Sequence, residues 1–487
     1  MVTTIIEFRR YLNRKLWSCS GNSEVQLVPA QEMNKFHLLI ASILFCLWFF
    51  NGKSIAVTSQ DGSESWGYVE VRPKAYMFWW FYRSSSRAGD SNQSWPIILW
   101  LQGGPGASGV GIGNFEEIGP LDINEKPRNS TWLKKADLLF VDCPVGTGYS
   151  YVEDTKQLVK TDWEAAADVT TLLIEVFNGS MGLQKSPLYI VAESYGGKFA
   201  VTLGLLAQEA IEAGRLKLIL GGVALGNTWI SPEDFVISWG PLLKDVSRLD
   251  EKGLEQSNSL ALKIQQKLGA GQFDEATDLW GELENAISVS SNSVDFYNFM
   301  LDANMDPLSV VASELSQELA LKRYSRYLES RSFSPGSDAD LSKLMNGAIK
   351  KKLGIIPENV SWGEQSELVF ENMYAEFMIP RISEVDQLLA KGVQVTVYSG
   401  QLDVICATKG TEAWIKKLKW EGLEAFLSLE RSPIYCGSDK TTRGFFKSYK
   451  NLHFYWILGA GHYVPLDQPC VALDMVGSIT QSLASSK

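Results

Sequence analysis

The chain has 487 residues, of which 45% are hydrophobic and 21% charged, so a globular protein with an ample core is expected. Its formal net charge of −11 argues against nucleic acid and against an anionic membrane surface as partners. The length would fill two or three average domains, or one α/β enzyme with an insertion.

The N-terminal segment has the order of regions found in a secretory signal. An apolar run at residues 38–50 follows a basic residue and precedes a small-x-small sequence at 54–56. The run is short for a membrane span, so we expect residues 33–56 to be a signal peptide. Residues 1–32 are then an upstream extension, with translation starting at Met33. A signal anchor of a type II membrane protein is the alternative.

Four Asn-x-Ser/Thr sequons fit an exported chain. They begin at Asn92, Asn129, Asn178 and Asn359, where glycosylation is expected. The cysteines beyond the signal region are too few for a disulfide-rich scaffold and allow three pairings: Cys143, Cys406, Cys436 and Cys470. We therefore expect a secreted or vacuolar protein, without stable membrane association once the signal is removed, whose hydrophobic core carries the fold.

Strand patterns alternate with helix patterns along the rest of the chain. Two aromatic, alternating segments within residues 66–83 predict a pair of early antiparallel strands. A continuous apolar run, typical of a strand buried on both faces, follows at residues 96–101, and further buried strands are predicted at 136–141, 188–191, 218–225, 393–398 and 452–458. Helix-prone stretches between these strands predict a mostly parallel sheet with helices on both faces.

A helix-prone, charge-mixed block interrupts this alternation between the fourth and fifth buried strands. Residues 231–370 contain no cysteine and no apolar strand run. Because parallel α/β sheets place their sites at the carboxyl ends of the strands, we expect this block to be a cap over the site. The predicted organisation is a core formed by residues 57–230 and 371–487, with a helical cap inserted at 231–370.

A serine at a change from strand pattern to helix pattern is the best candidate for a nucleophile. Ser194 follows the apolar run 188–191, stands in the sequence Ala-Glu-Ser-Tyr-Gly-Gly and precedes a helix-prone segment at 198–212. A nucleophile elbow requires this arrangement. Its first position, usually glycine, is Ala192 here, and the pattern alone fits an ordinary turn about equally well.

Two further residues complete a catalytic triad. Of the three histidines, one belongs to the signal and His453 lies within a strand run, whereas His462 lies in a glycine-flanked loop after a buried strand. The chain order of α/β hydrolases places the acid between serine and histidine, which favours Asp403 over Asp467. We predict Ser194 as nucleophile, with the histidine as general base and the aspartate orienting its imidazole.

Backbone N–H groups beside the serine are expected to stabilise the oxyanion. Tyr195 supplies one of them, and the other comes from Gly103 or Gly104, of which we favour Gly104. This chemistry needs no metal and no cofactor. Together, these features predict an α/β-hydrolase fold, in which a central, mostly parallel sheet has helices on both faces and a helical cap insertion.

Six short motifs occur in order between about residue 66 and residue 479: WLQGGPG at 100–106, FEEIGP at 115–120, DCPVGTGYS at 142–150, ESYGG at 193–197, GQLD at 400–403 and GHYVP at 461–465. With these motifs the chain resembles the serine carboxypeptidases, closest to the retinoid-inducible type and its plant serine carboxypeptidase-like relatives. The resemblance implies release of the C-terminal residue from peptides or proteins at acidic pH, in a vacuole, a lysosome or the secretory pathway.

The resemblance also implies a binding site for the terminal carboxylate of the peptide. Its members would be Trp100, Gln102, Gly103, Glu117 and Glu193. Two adjacent glutamates cannot both be comfortably ionised, so the pKa of at least one should be raised. The protonated pair would donate to the substrate carboxylate and the ionised pair would repel it. Peptidase activity should therefore fall as pH rises, and esterase activity should fall less.

Three positions add detail to the resemblance. Gln102 stands where the family usually has asparagine, so the amide reaches one methylene further. Many members have a cysteine, bonded into the insertion, where this chain has Ala107, so we expect packing alone to hold the cap. Cys406 matches a thiol near the S1 pocket, which takes the residue before the scissile bond. We expect this thiol to be free and Cys436 to be bridged to Cys470.

Other functions remain open at this point. Some plant relatives use the same acyl-enzyme to transfer acyl groups from glucose esters to other alcohols, and this acyltransferase reaction is the alternative. Such members often have aspartate before the serine, so Glu193 and Gln102 favour the hydrolase. A binding protein without activity would be expected to lose a triad residue. A simple esterase or lipase would not explain the pair of glutamates beside Gln102.

Overall fold

A computed structural model describes residues 54–87, 94–180, 182–302 and 337–481. Within these ranges the strands are β1 (Ile55–Thr58), β2 (Glu64–Arg72), β3 (Ala75–Tyr82), β4 (Ile97–Leu101), β5 (Asp137–Val141), β6 (Tyr151–Val152), β7 (Pro187–Glu193), β8 (Ile219–Gly226), β9 (Val395–Gly400), β10 (Ser432–Cys436), β11 (Asp439–Tyr449) and β12 (Leu452–Ile457).

The helices in the same ranges are α1 (Asp162–Asn178), α2 (Gly196–Glu212), α3 (Pro232–Asp245), α4 (Glu251–Gly269), α5 (Phe273–Ser291), α6 (Ser337–Leu344), α7 (Lys350–Leu353), α8 (Glu367–Asn372), α9 (Tyr374–Phe377), α10 (Ile382–Ala390), α11 (Thr408–Ile415), α12 (Leu423–Ser428), α13 (Val464–Asp467) and α14 (Pro469–Ile479). A π-helical segment, Gly109–Ile118, follows β4.

All the strands belong to one mixed sheet. Its order is β1-β2-β3-β5-β4-β7-β8-β9-β12-β11-β10, and β6 pairs with β3. The six strands from β5 to β12 in this order run parallel, and the strands that flank them are antiparallel. The six parallel strands coincide with the six predicted buried strands, and the early antiparallel pair is β2 and β3. These predictions are confirmed.

Helices cover both faces of the sheet, as predicted. Alternate residues of β4 belong to different core clusters, since Leu99 packs on one side and Trp100 on the other. Leu172 of α1 and Leu203 of α2 join the first cluster. Met475 of α14 joins the second cluster. A strand buried on both faces needs an apolar residue at every position, which explains the continuous apolar runs in the sequence.

Helices α3 to α10 lie between β8 and β9, where the cap was expected. Trp239 of α3 and Trp280 of α5 share a core cluster with Val397 of the sheet. The described residues fall within a single compact unit. The boundaries at residues 231 and 370 therefore stay a prediction. Across the ranges given above, no helix has the length and apolar character needed to cross a membrane.

The predicted glycosylation sites differ in their surroundings. Asn129 and Asn359 are exposed. The amide group of Asn178 is engaged at both ends, because Nδ2 donates to the carbonyl oxygen of Arg215 and Oδ1 accepts from the N–H of Lys217, both at 2.8 Å. Among the predicted sequons, Asn178 is therefore a less accessible acceptor than the two exposed asparagines.

Other predictions concern the N-terminus and the cysteines. The upstream extension, the signal peptide up to residue 53 and Asn92 all lie outside the described residues. The expected bridge between Cys436 and Cys470 is confirmed and joins β10 to α14. Cys143 and Cys406 are buried free thiols, so the expectation for Cys406 is confirmed as well.

Candidate active site

Ser194 occupies a sharp turn between β7 and α2. Its φ of +58° lies in the left-handed region that non-glycine residues rarely adopt, as expected of a nucleophile elbow. Its N–H donates to the carbonyl oxygen of Gly226 at 3.2 Å, and its carbonyl oxygen accepts from the N–H of Trp229 at 2.9 Å. A Cβ at Gly197 would lie 2.3 Å from the Cβ of Thr228, so only glycine lets α2 begin this close to the turn after β8.

His462 and Asp403 meet at the carboxyl ends of two adjacent parallel strands, β12 and β9. His462 Nδ1 lies 2.8 Å from Asp403 Oδ2, and both side chains are buried. Asp467 instead accepts the backbone N–H of Gly461 at 2.7 Å. His462 Nε2 is buried and forms no hydrogen bond with any residue in the described ranges. Ser194 and His462 line the same cavity, which leaves this nitrogen as the candidate base.

Asn227 connects the loops that carry the aspartate and the histidine, and the sequence analysis missed it. Its Nδ2 donates to the carbonyl oxygens of Gly461 and His462, at 3.0 and 2.6 Å. Its Oδ1 accepts the N–H of Gly400 at 2.8 Å. Asn227 follows β8 with a φ of +43°, a conformation that asparagine tolerates better than most residues. An asparagine directly after a buried central strand was the signal available in the sequence.

The inserted segment also contacts the histidine. Tyr297, which follows α5, accepts the backbone N–H of His462 through its carbonyl oxygen at 2.8 Å. The two rings meet edge to face, with centroids 4.4 Å apart. Tyr297 also stacks on Tyr463, with centroids 5.8 Å apart and planes inclined by 5°. Because these contacts lie far apart in sequence, no local pattern predicts them.

A cavity of about 270 Å³ lies in front of the serine and the histidine. Its lining combines the predicted triad and glycine loop with apolar and charged side chains: Gln102, Gly103, Gly104, Ala107, Ile112, Phe115, Glu116, Glu117, Asp122, Ile123, Arg128, Glu193, Ser194, Tyr297, Glu364, Gln365, His462, Tyr463 and Leu466. Of the predicted carboxylate-binding residues, Trp100 alone does not line it. Its volume is of the order of pockets that bind small ligands.

The predicted carboxylate-binding residues form a buried hydrogen-bonded chain. Trp100 Nε1 donates to Gln102 Oε1 at 2.7 Å. Gln102 Nε2 then donates to Glu193 Oε1 at 2.9 Å and to Glu117 Oε1 at 3.2 Å. The indole fixes the orientation of the amide, so its NH₂ group faces both glutamates. Burial raises the pKa of Tyr398, and the charges of Glu193 and Glu117 raise it further.

The glycine loop after β4 lies directly against the nucleophile. A Cβ at Gly103 would lie 2.5 Å from Ser194 Cβ and 2.9 Å from the backbone nitrogen of Tyr195. Gly104 follows with a φ of +103°, which a residue with a side chain would not readily adopt. The structure thus brings the residues predicted for the oxyanion hole together with the serine.

A cluster of buried charges anchors the side chain of Tyr195, and none of its charged members was predicted. The Tyr195 hydroxyl donates to Asp162 Oδ1 at 2.7 Å, and Arg381 Nε donates to Asp162 Oδ2 at 2.8 Å. Arg381 also pairs with Glu376. Lys198 Nζ lies 3.6 Å from Asp162 Oδ2. Burial lowers the pKa of Lys198 to about 8, against the opposing effect of the Asp162 charge.

Cys406 lies beside the Asp403–His462 pair. Its N–H donates to Asp403 Oδ1 at 3.3 Å. Its Sγ lies within 4.8 Å of a carboxylate oxygen of Asp403 and of a ring nitrogen of His462. Burial raises the pKa of the thiol, and the charges of Asp403 and Glu193 add to the effect. Cys406 is not among the residues that line the cavity. Its predicted place in the S1 pocket therefore stays a prediction.

The expectation that packing alone holds the cap to the core is wrong. Ala107 pairs with Gln365 as an antiparallel bridge, and backbone hydrogen bonds flank the pair. Gln365 Nε2 also donates to the carbonyl oxygen of Pro105 at 2.7 Å. Hydrogen bonds from residues 362–366, which we call the strap, therefore occupy the place where other family members were expected to carry a disulfide.

Comparisons with known proteins identify the family of the chain. The sequence profile of the serine carboxypeptidase family matches residues 56–482. The chain is 63% identical to serine carboxypeptidase-like 51 of Arabidopsis thaliana, over 88% of this chain and 95% of that protein. It is 47% identical to the human (Homo sapiens) retinoid-inducible serine carboxypeptidase, over 88% of this chain and 94% of that protein.

Among solved structures, the chain is similar to Kex1, a prohormone-processing carboxypeptidase from Saccharomyces cerevisiae. The TM-score is 0.71 at 20% identity, covering 86% of this chain and 91% of that one. This likeness concerns the fold, which is the predicted α/β-hydrolase fold. By sequence over nearly all of its described length, the chain belongs to the serine carboxypeptidase family and is a hydrolase of the serine carboxypeptidase type.

Proposed function

We propose that Ser194, His462 and Asp403 are the triad that releases the C-terminal residue of a peptide. Ser194 Oγ attacks the carbonyl carbon of the last peptide bond while His462 Nε2 accepts its proton. The histidine returns this proton to the leaving amine, and the acyl group stays on the serine as an ester. Water then attacks the ester, again with proton transfer through the histidine. Asp403 holds Nδ1 protonated and stabilises the imidazolium.

Backbone donors stabilise the negative charge that develops on the carbonyl oxygen. We assign this role to the N–H groups of Tyr195 and Gly104, because the glycine loop lies against Ser194 at the start of α2. Loss of one such donor typically lowers the rate by about 10²–10³. The anchoring of the Tyr195 hydroxyl on Asp162 holds the first of these donors in place.

The observation that carries the proposal is the position of Gln102, which donates to two buried glutamates immediately beside the nucleophile. A carboxypeptidase must recognise a free terminal carboxylate, which two ionised glutamates would repel. Because both carboxyl groups are buried and share one uncharged donor, at least one should hold a proton at acidic pH. A protonated glutamate then presents an O–H donor to the substrate carboxylate, while the two N–H groups of the Gln102 amide hold the pair in place. We place Trp100 and Gly103 in support of this group.

This recognition implies an acidic compartment. As pH rises, the glutamate pair loses its proton and then repels the substrate carboxylate. We therefore propose that the protein acts in the secretory pathway, outside the cell or in a vacuole or lysosome. The exposed sequons Asn129 and Asn359 fit such a location.

One assay tests the assignment of the nucleophile. The purified protein is offered a blocked dipeptide, and separately a glucose ester with an alcohol acceptor, from pH 4 to pH 8. We expect hydrolysis of the dipeptide, strongest at the acidic end, and a fall of about 10⁶ in kcat for Ser194→Ala. Full activity of this variant would contradict the triad. Efficient transfer from the glucose ester without dipeptide hydrolysis would favour the acyltransferase instead.

A further inference from the structure

We propose that the strap, residues 362–366, positions the glycine loop of the oxyanion hole and that Gln365 is its main positioning residue. The inference rests on the proposed function, because it assigns the second oxyanion donor to this loop. The loop itself is poorly suited to hold one conformation. Gly104 and Gly106 have φ values of +103° and +104°, and glycine restricts the backbone less than any other residue.

Backbone hydrogen bonds fix the strap against the glycine loop. Ser108 N–H donates to the carbonyl oxygen of Glu364, and Ser366 N–H donates to the carbonyl oxygen of Gly106, both at 2.9 Å. A Cβ at Gly106 would lie 2.8 Å from the carbonyl oxygen of Ser366. The two segments therefore approach as closely as neighbouring strands, which requires glycine at this position.

The side chain of Gln365 reaches further along the loop, toward the nucleophile. Its Nε2 donates to the carbonyl oxygen of Pro105 at 2.7 Å. Its Oε1 would lie 2.9 Å from a Cβ built on Gly104. The amide thus lies against Gly104 and Pro105, which are between the backbone bridge at Ala107 and Gly103, and Gly103 itself lies against Ser194. Movement of Gln365 would move the peptide unit that carries the oxyanion donor.

Trp362 gives the strap a second attachment. Its Nε1 donates to Ser108 Oγ at 2.9 Å, and Ser108 Oγ donates to Asp142 Oδ1 at 2.6 Å. A Cβ at Gly111 would lie 2.2 Å from the indole, so the ring packs against the backbone that follows the loop. The strap is therefore attached at Trp362 and at Ser366, and Gln365 lies between these two residues.

Replacing the amide tests the positioning role. In Gln365→Met the side chain keeps its length but loses the donor to Pro105. We expect kcat to fall at least tenfold, with KM changed less than about twofold, for the blocked dipeptide and for 4-nitrophenyl acetate alike. Gln256→Met, at an exposed position on α4, is the matched control and should leave both constants unchanged. The melting temperature of each variant shows whether the fold is retained.

A second variant separates positioning from a general loss of structure. In Gln365→Glu the introduced carboxyl group can donate to the Pro105 carbonyl oxygen only when it is protonated. The carboxylates that line the same cavity are Glu364 in the strap and Glu116, Glu117, Asp122 and Glu193, and their negative charges favour the protonated form. Arg128 and His462, also in the cavity, favour the ionised form when they are charged. The activity of this variant relative to the unmodified protein should therefore rise as pH falls.

Two results would overturn the proposal. The first is a folded Gln365→Met whose kcat is within twofold of that of the unmodified protein. The second is an activity of Gln365→Glu, relative to the unmodified protein, that does not change with pH. The ester substrate keeps this test separate from the proposed function. If the unmodified protein cleaves 4-nitrophenyl acetate through Ser194 but not the dipeptide, the carboxypeptidase assignment fails. The strap can then still be tested on the ester.

Discussion

Two buried groups of carboxylates adjoin the nucleophile elbow, and they are stabilised in different ways. Beneath Tyr195, Asp162 and Glu376 pair with the guanidinium of Arg381. Beside Ser194, Glu117 and Glu193 share the uncharged amide of Gln102. In the first group the carboxylates form ion pairs with a guanidinium, whereas in the second both carboxyl groups accept hydrogen bonds from the same neutral amide.

The difference indicates which group is structural and which recognises the substrate. Carboxylates paired with a buried cation fix the geometry around them, and loss of the cation leaves them uncompensated. Carboxyl groups that share a neutral donor depend on a proton for their stability, so their hydrogen-bonding capacity changes with pH. We therefore expect changes in the first group to alter stability, and changes in the second to alter the pH dependence of catalysis.

The largest expected effect comes from removing the guanidinium of the structural group. Arg381→Met would leave Asp162 and Glu376 buried without their main cation. Breaking a buried ion pair in this way costs about 3–5 kcal/mol, so the free energy of unfolding in denaturant should fall by this amount. Arg443→Met, which removes an exposed pair with Asp439, is the control and should cost less than about 1 kcal/mol. Equal losses in both variants would contradict the structural role.

A smaller effect is expected from Lys198, and its sign depends on pH. Burial lowers the pKa of Lys198 from 10.5 in the unfolded chain to about 8 in the folded protein. Between these values the unfolded state binds more protons, so this residue's contribution to stability rises with pH. The stability difference between the unmodified protein and Lys198→Met should therefore grow from pH 8 to pH 10.5. The control is Lys263→Met, at an exposed position, for which the stability difference from the unmodified protein should not change over this pH range. A difference that shrinks over this range would contradict the prediction.

The smallest effect on stability is expected in the recognition group. In Glu193→Gln the introduced amide oxygen can still accept from Gln102 Nε2, and the side chain keeps its size. We expect the free energy of unfolding to change by less than about 1 kcal/mol. A loss as large as that of Arg381→Met would show that the two groups play the same role.

The parts of the fold that the sequence predicts are those that solvent cannot reach. All five residues of β4 are buried, and its sequence is a continuous apolar run. Strands β10 and β11 were missed because they lie at one end of the sheet, where Gly444 alone among their residues is buried, and because the sequence of β11 is largely polar. Apolar patterning identifies buried strands and gives no signal for exposed ones.

The predicted residues of the candidate site are those whose chemistry requires a particular residue type. The residues that the sequence did not reveal are those selected by their position in the fold. A nucleophile, an acid and a histidine after three strands can be identified from residue type and order. Asp162 and Arg381 are 219 residues apart, and no local pattern relates them. The strap acts partly through backbone carbonyl groups, which every residue has, so its sequence does not mark it. Asn227 could have been proposed from its place after β8.

The pH dependence of Glu193→Gln tests the account most directly. The measurement is kcat/KM from pH 4 to pH 8 for a blocked dipeptide with a free C-terminal carboxylate, with the corresponding ester as control. In the unmodified protein, we predict that peptidase activity falls as pH rises and that esterase activity falls less. In the variant the carboxamide stays neutral, so the fall in peptidase activity should shift to higher pH. A variant profile identical to that of the unmodified protein would contradict the role of Glu193 in binding the substrate carboxylate.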